Sequence, residues 1–312
     1  MGHLDHATLG WLTPVLSYAM ACIGAALGLR CTVRALDEVG PSRRNWLLTA
    51  ASAIGTGIWT MHFVAMLGFG VTGTDIRYDV PLTLLSLLVA MAVVGAGVFA
   101  VGHGHRRAAG DTGAHGRAHG PVAGPRTGPT THGDSNGNGD GNGDGSRAGR
   151  GQGRRQGLGR VGALLLGGLT TGLGVASMHY LGMAALRLHG TVRYDPLLVA
   201  LSVAIAVVAA TAALWAALNI TSPVAVAVAS LVMGAAVSSM HYTGMLAVTV
   251  DVAPSGGRLP GATPMQFIFP LAVGLGSYLF VTAAFVALSP TTGERAAYTS
   301  AERRTEPAIT PL

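Results

Sequence analysis

GLGVASMHYLGM, Gly172–Met183, lies inside an apolar run that extends from Val161 to Leu186. A run of that length exceeds the roughly 18 apolar residues read as a membrane-spanning helix. A histidine inside it is costly, and two methionines flank it. The pattern returns at GTGIWTMHFVAM, Gly55–Met66, and at GAAVSSMHYTGM, Gly234–Met245. All three stretches fit G-x-[GA]-x-x-[TS]-M-H-[FY]-x-[AG]-M. Internal repetition of this kind decides an architecture before any local reading does.

Around the motifs the chain is built of spans. Of its 312 residues, 50% are hydrophobic and 11% charged, against about 25% charged in soluble domains. Seven stretches qualify: Trp11–Leu29, Trp46–Val71, Pro81–Val101, Val161–Leu186, Leu197–Leu218, Pro223–Val250 and Met265–Leu288. None holds an Asp, Glu, Lys or Arg between its ends. The first lacks the positive leader of a secretion signal, and Ala21-Cys22 is a poor lipoprotein site without one. It reads as a retained helix. The fold class is an all-α, multi-pass protein of the lipid bilayer with seven transmembrane helices.

Charge placement sets the orientation. All 20 basic residues are arginines. Arg30, Arg34, Arg43 and Arg44 follow helix 1, nine lie between Arg106 and Arg160, and Arg295, Arg303 and Arg304 lie in the tail. The alternate loops carry only Arg77, Arg187, Arg193 and Arg258. Basic loops stay cytoplasmic, so the N-terminus is expected outside and the C-terminus inside. The positive balance belongs to this topology and not to nucleic-acid binding. Cys22 and Cys31 have no metal-type spacing and read as small packing residues.

The expected organisation is a short external N-terminus over 1–10, a first membrane part over 11–102, a linker over 103–160, a second membrane part over 161–289 and a cytoplasmic tail over 290–312. The linker is rich in Gly and Arg, with His103, His105, His115, His119 and His132. It has too little apolar surface to offset chain entropy and is expected to be disordered. Asp134 and Asp140 open calcium-loop look-alikes, but neither has the bidentate Glu at its twelfth position. RYDVPLTLLSL (Arg77–Leu87) resembles RYDPLLVALSV (Arg193–Val203), so the core reads as three motif-bearing helix pairs plus one extra helix. The two Arg-Tyr-Asp copies read as interfacial anchors.

The motifs carry the chemistry. His62, His179 and His241 all fall past the midpoint of their helices by similar amounts, in one layer toward the outer face. Met66, Met183 and Met245 follow each histidine by four residues and share its helix face. Met61, Met178 and Met240 precede each by one. Gly55, Gly57, Gly172, Gly174 and Gly234 lie below, where small residues let helices approach. Imidazole and thioether without carboxylate form a soft donor set suited to copper, especially Cu(I). Tyr180 and Tyr242 could be ligands or outer partners, and Phe63 cannot be a ligand. Thr60, Ser177 and Ser239 are expected to bond back to helix carbonyls. The bland alternative is that these histidines bond across helices and the methionines fill space.

At these residues the chain resembles the MHYT domain family of bacterial membrane proteins. Met240-His241-Tyr242-Thr243 matches the name letter for letter. Met178-His179-Tyr180-Leu181 departs at its last position, and Met61-His62-Phe63-Val64 at its last two. The resemblance implies a sensor in the bacterial cytoplasmic membrane that holds copper and detects oxygen, carbon monoxide or nitric oxide. Many relatives attach an output enzyme after the last helix. Only about 24 residues follow Leu288 here, so no enzyme activity is expected in this polypeptide and the signal would pass to a separate cytoplasmic partner. Two other readings stay open: a metal-handling channel or transporter, and a haem protein with paired axial histidines. A channel would need ligands reaching the inner face, and coupled transport would call for intramembrane carboxylates. A retinal protein is excluded, because a Schiff base needs a lysine.

Overall fold

Backbone amides in hydrocarbon must be satisfied within the segment, and an apolar run of this length can do so only as a helix. The computed structural model describes residues 4–5, 10–116, 145–220, 222–253 and 257–289, with side chains described in 10–100 and from 161 onward within those ranges. Its helices are α1 Leu12–Asp37, α2 Gly40–Leu67, α3 Val80–Gly116, α4 Gly145–Ala184, α5 Pro196–Asn219, α6 Pro223–Leu246 and α7 Phe269–Leu288. A π turn over Pro264–Ile268 leads into α7. Among the described residues seven spans result, each long and apolar enough to cross a membrane. A 24-residue helix is about 36 Å long, which exceeds the roughly 30 Å hydrocarbon core. Leu84, Leu88, Leu166, Val208, Phe280 and Val281 stand exposed, as side chains facing lipid do.

The helices are longer than their apolar cores. Arg30 and Arg34, expected in a loop, lie in the last turns of α1, and Arg43 and Arg44 lie in the first turns of α2. Only Glu38 and Val39 separate the two helices. Arginine is a good helix former, and its long stem lets the charge reach the interface. The Arg34 guanidinium sits 5.1 Å from the centre of the Trp46 ring. The same extension runs into the two ends of the expected linker. Residues 103–116 are the end of α3 and 145–160 the start of α4, because adding a residue to a formed helix is far easier than starting one. The rest of the linker, 117–144, lies outside the described residues, as do most of the N-terminus and the 290–312 tail.

Glycines bring the helices together. A Cβ on Gly57 would lie 2.7 Å from the Cα of Gly24, so α1 and α2 cross with their backbones in contact. The first glycine of each motif does the same toward a different neighbour. Gly55 faces Met91 of α3, Gly172 faces the backbone of Val207 in α5, and Gly234 faces Cys22 of α1. Gly174 packs on Val93 of α3. These five glycines were expected to let the motif helices converge on one another. They instead hold each motif helix against a flanking helix, as small residues do at membrane interfaces. Helix α2 is the most enclosed span, with 83% of its most apolar window buried against 17% for α7. The extra helix is therefore peripheral.

Beyond the C-terminal ends of α2, α4 and α6, three two-stranded sheets tie the connections together. Strand β1 (Leu4–Asp5) pairs with β2 (Gly70–Val71), β3 (Arg77–Tyr78) with β4 (Leu186–Arg187), and β5 (Gly190–Tyr194) with β6 (Val248–Val252), all antiparallel. The Arg-Tyr-Asp copies do more than anchor. Asp79 accepts from the Leu82 amide and pairs with Arg187 at 2.7 Å. Asp195 caps α5 by accepting from the Leu197 and Leu198 amides. Tyr78 is buried to 1% exposure, whereas Tyr194 is 39% exposed, so only the second tyrosine has the surface position expected of an anchor. Burial pushes the Tyr78 hydroxyl well above its ordinary range.

Candidate metal centre

Each motif histidine stands five residues before the last residue of its helix: His62 in α2, His179 in α4 and His241 in α6. Equal register in three helices of like direction delivers three imidazoles to one level. The Nδ1 atoms form a nearly equilateral triangle. His62 and His241 are 3.0 Å apart, His179 and His62 3.1 Å, and His241 and His179 3.3 Å. The rings meet edge to face, with centroids 4.9, 4.9 and 5.2 Å apart. All three are buried to 1% exposure or less. Among the described residues this is the group of His, Cys, Asp or Glu able to hold a metal ion.

Hydrogen bonding alone leaves this triangle frustrated. Each Nδ1 presents either a hydrogen or a lone pair. With two kinds of atom on three corners, at least one edge must set like against like. A cation at the centre removes the conflict, because all three nitrogens can then offer lone pairs. The triangle's centre lies about 1.8 Å from each nitrogen, close to the ~2.0 Å of a metal–imidazole bond. His62, His179 and His241 would hold such an ion through their Nδ1 atoms. Three imidazoles at these distances would hold a small metal ion.

The outer ring nitrogens reveal a second device. The Nε2 atoms of His62 and His179 are buried with no hydrogen-bond partner among the described residues. Directly behind them stand glycines: a Cβ on Gly182 would lie 2.6 Å from His62 Nε2, and one on Gly244 would lie 2.5 Å from His179 Nε2. Each of these glycines occupies the eleventh motif position of the next motif helix. The third copy of that position is Ala65, which lines a cavity with His241. The small [AG] position thus makes room for a neighbour's imidazole. The signal is present in the motif, three residues after each histidine.

The six methionines are all buried. Met66 and Met245 line a cavity of about 190 Å³ with His241, Tyr242 and Thr13, beside the imidazoles and between α1, α2 and α6. Met240 lines a different cavity below the imidazole level. Met61, Met178 and Met183 pack within the core. The Tyr180 hydroxyl is 2.6 Å from Ser202 Oγ, and Ser202 in turn donates to the Val199 carbonyl. Its ring stacks edge-on against His179 at 4.8 Å. Tyr242 does the same to His241 at 5.0 Å and is 38% exposed. Phe63, the odd member, is held between Trp59 and Tyr78. Ser177 and Ser239 bond back to the Leu173 and Ala235 carbonyls. The Thr60 hydroxyl, unlike the other two, has no partner among the described residues.

A family profile described as the N-terminal repeat of bacterial signalling proteins, MHYT, matches residues 55–110 and 172–230. The third motif lies beyond these matches. The chain is similar to the bifunctional diguanylate cyclase/cyclic di-GMP phosphodiesterase MucR of Pseudomonas aeruginosa, with 34% identity over 74% of this chain and 27% of the relative. It is 30% identical to the cyclic di-GMP phosphodiesterase NbdA of the same organism, over 84% of this chain and 26% of the relative. It is 27% identical to the signalling protein YkoW of Bacillus subtilis, over 85% and 27%. The chain thus spans about a quarter of the length of the curated relatives it matches. No solved structure matches it. The chain thus carries two matched MHYT repeats, the N-terminal repeat of bacterial signalling proteins, within a bundle of seven apolar helices.

Proposed function

We propose that this chain is a membrane sensor whose copper ion is held by His62, His179 and His241, with Met66 or Met245 available from the side of His241. The observation that carries the reading is the Nδ1 triangle, with edges of 3.0–3.3 Å. No combination of tautomers can satisfy it, and an ion bonded at about 2.0 Å fits it. Absence of carboxylate and the nearby thioethers favour Cu(I) over harder cations. Copper in that state supplies a centre to which oxygen, carbon monoxide or nitric oxide binds. The chain's own residues orient the imidazoles, exclude water and leave an approach along the cavity beside His241. Three imidazoles in mutual contact leave no slot for a porphyrin, which argues against haem. Apolar side chains lie below the imidazole layer, which argues against a path for ions through the bundle.

Two relatives are named for cyclic di-GMP enzymes, and we propose that the signal from this membrane part reaches a cytoplasmic enzyme of that kind. The test of the site is metal content by mass spectrometry on detergent-purified protein loaded with Cu(I) under reducing conditions. The expected result is near-stoichiometric copper that is lost in the His62→Ala/His179→Ala/His241→Ala variant while helix content by circular dichroism is kept. Equal copper in both proteins would sink the proposal. An intense Soret band in the purified protein would revive the haem reading.

A further inference from the structure

Beneath the imidazole layer lies a cavity of about 70 Å³. Its lining follows the motif register. Ile58, Val175 and Val237 each precede their histidine by four residues, and Ile54, Thr171 and Met233 by eight; all six line the space. The nearer rung is therefore about 6 Å along the helices from the histidines, and the farther about 12 Å. Met240, one residue from His241, lines it as well. The space and the metal centre share one axis, along the same faces of the same three helices.

The void is written into the sequence of α5. Ala206, Ala210, Ala213 and Ala217 recur at helical spacing on the face that lines it. Larger side chains there would fill the space, and packed interiors ordinarily do so, since an empty volume forfeits dispersion contacts. Apolar cavities of this kind stay dry and accept xenon or small apolar molecules. Thr171, 8% exposed, belongs to the lining with Thr32, and its hydroxyl has no hydrogen-bond partner among the described residues. A volume of about 70 Å³ has room for a diatomic molecule.

We infer that this cavity is a docking site for an uncharged diatomic gas, held one helical turn below the histidine triangle. The inference rests on the gas-sensing reading above for its purpose, but not for its chemistry. A neutral apolar gas gains from leaving water for such a site and reaches it from the bilayer, where it already dissolves. From there it meets the imidazole layer from the side opposite the cap of strands.

Xenon tests the cavity independently of copper. Metal-free protein is pressurised with xenon and its structure determined. The expected result is xenon between Val175, Val237 and Ala210, lost in Ala210→Leu and in Val175→Phe. Two variants from opposite walls guard against misfolding of either one, and retained copper binding in each shows an intact bundle. In copper-loaded protein the same variants are expected to slow carbon monoxide association after flash photolysis. A cavity empty under xenon, or filled by a lipid acyl chain, overturns the inference even if copper binds. Xenon bound in a protein that takes up no copper upholds the cavity and defeats the copper reading instead.

Discussion

At the scale of single residues, the site depends on what is missing as much as on what is present. Gly182 and Gly244 stand where a methyl group would meet the imidazoles of His62 and His179. Gly182→Ala and Gly244→Ala are expected to tilt those rings and weaken Cu(I) binding on the order of tenfold or more, the usual cost of disturbing groups that orient ligands. Competition with a chromogenic Cu(I) chelator measures this. Unchanged affinity in both variants would show that the rings do not need that space. Ala65→Gly, the matching change in α2, should leave affinity close to that of the parent. Neither glycine was singled out from the sequence, although both belong to the motif. A sequence shows that a position is small, but not whose side chain fills the space it leaves.

At the scale of elements, glycine contacts and aspartate caps hold the bundle in register. The Cβ built at Gly172 meets the Val207 backbone, so Gly172→Leu must push α4 and α5 apart. The expected cost is about 1–3 kcal/mol of overpacking, read as a lowered thermal midpoint in detergent. Asp195→Ala removes the cap of α5 and is expected to cost about 1 kcal/mol. Asp79 supplies a pH dependence. Its hydrogen bond from Arg187 and the Leu82 amide hold its carboxyl below the usual carboxylate range. A lowered folded value means that the group stabilises the protein above its unfolded pKa and loses that contribution as pH falls through the folded one. Asp79→Asn should therefore melt earlier than the parent near neutral pH, and the gap should close in acid. A gap independent of pH would show that the Asp79–Arg187 strap carries no stability. The extension of α1 and α2 past their apolar cores was hidden because hydropathy marks what lies in lipid, whereas helix ends follow hydrogen bonding and capping.

At the scale of the whole molecule, orientation is the remaining prediction. The strand-capped end that holds the histidines is expected to face outside, with the arginine-rich connections in the cytoplasm. Single cysteines at Gly73 and Gly257, at the capped end, should react with a membrane-impermeant maleimide in intact cells when the native Cys22 and Cys31 are replaced. A cysteine at Val39, between α1 and α2, should react only after lysis. The reverse pattern would turn the molecule over and move the histidine layer to the inner leaflet. The triangle itself would be unaffected, since it depends on three helices sharing direction and register and not on which side they face.

The sequence by itself determined the number of spans, the three motif copies and their common depth. Apolar length and helical rise translate directly into position along the membrane normal, and each of those features is local to one segment. Tertiary structure alone decided what lies across the normal. It brought three Nδ1 atoms to about 3 Å, assigned the first motif glycines to flanking helices and the eleventh to a neighbour's imidazole, and buried Tyr78 while leaving Tyr194 half open. It also opened a cavity where six residues from three helices align. Rotation of one helix about its axis relative to another is set by side chains distant in sequence, and periodicity within a single segment carries no record of them.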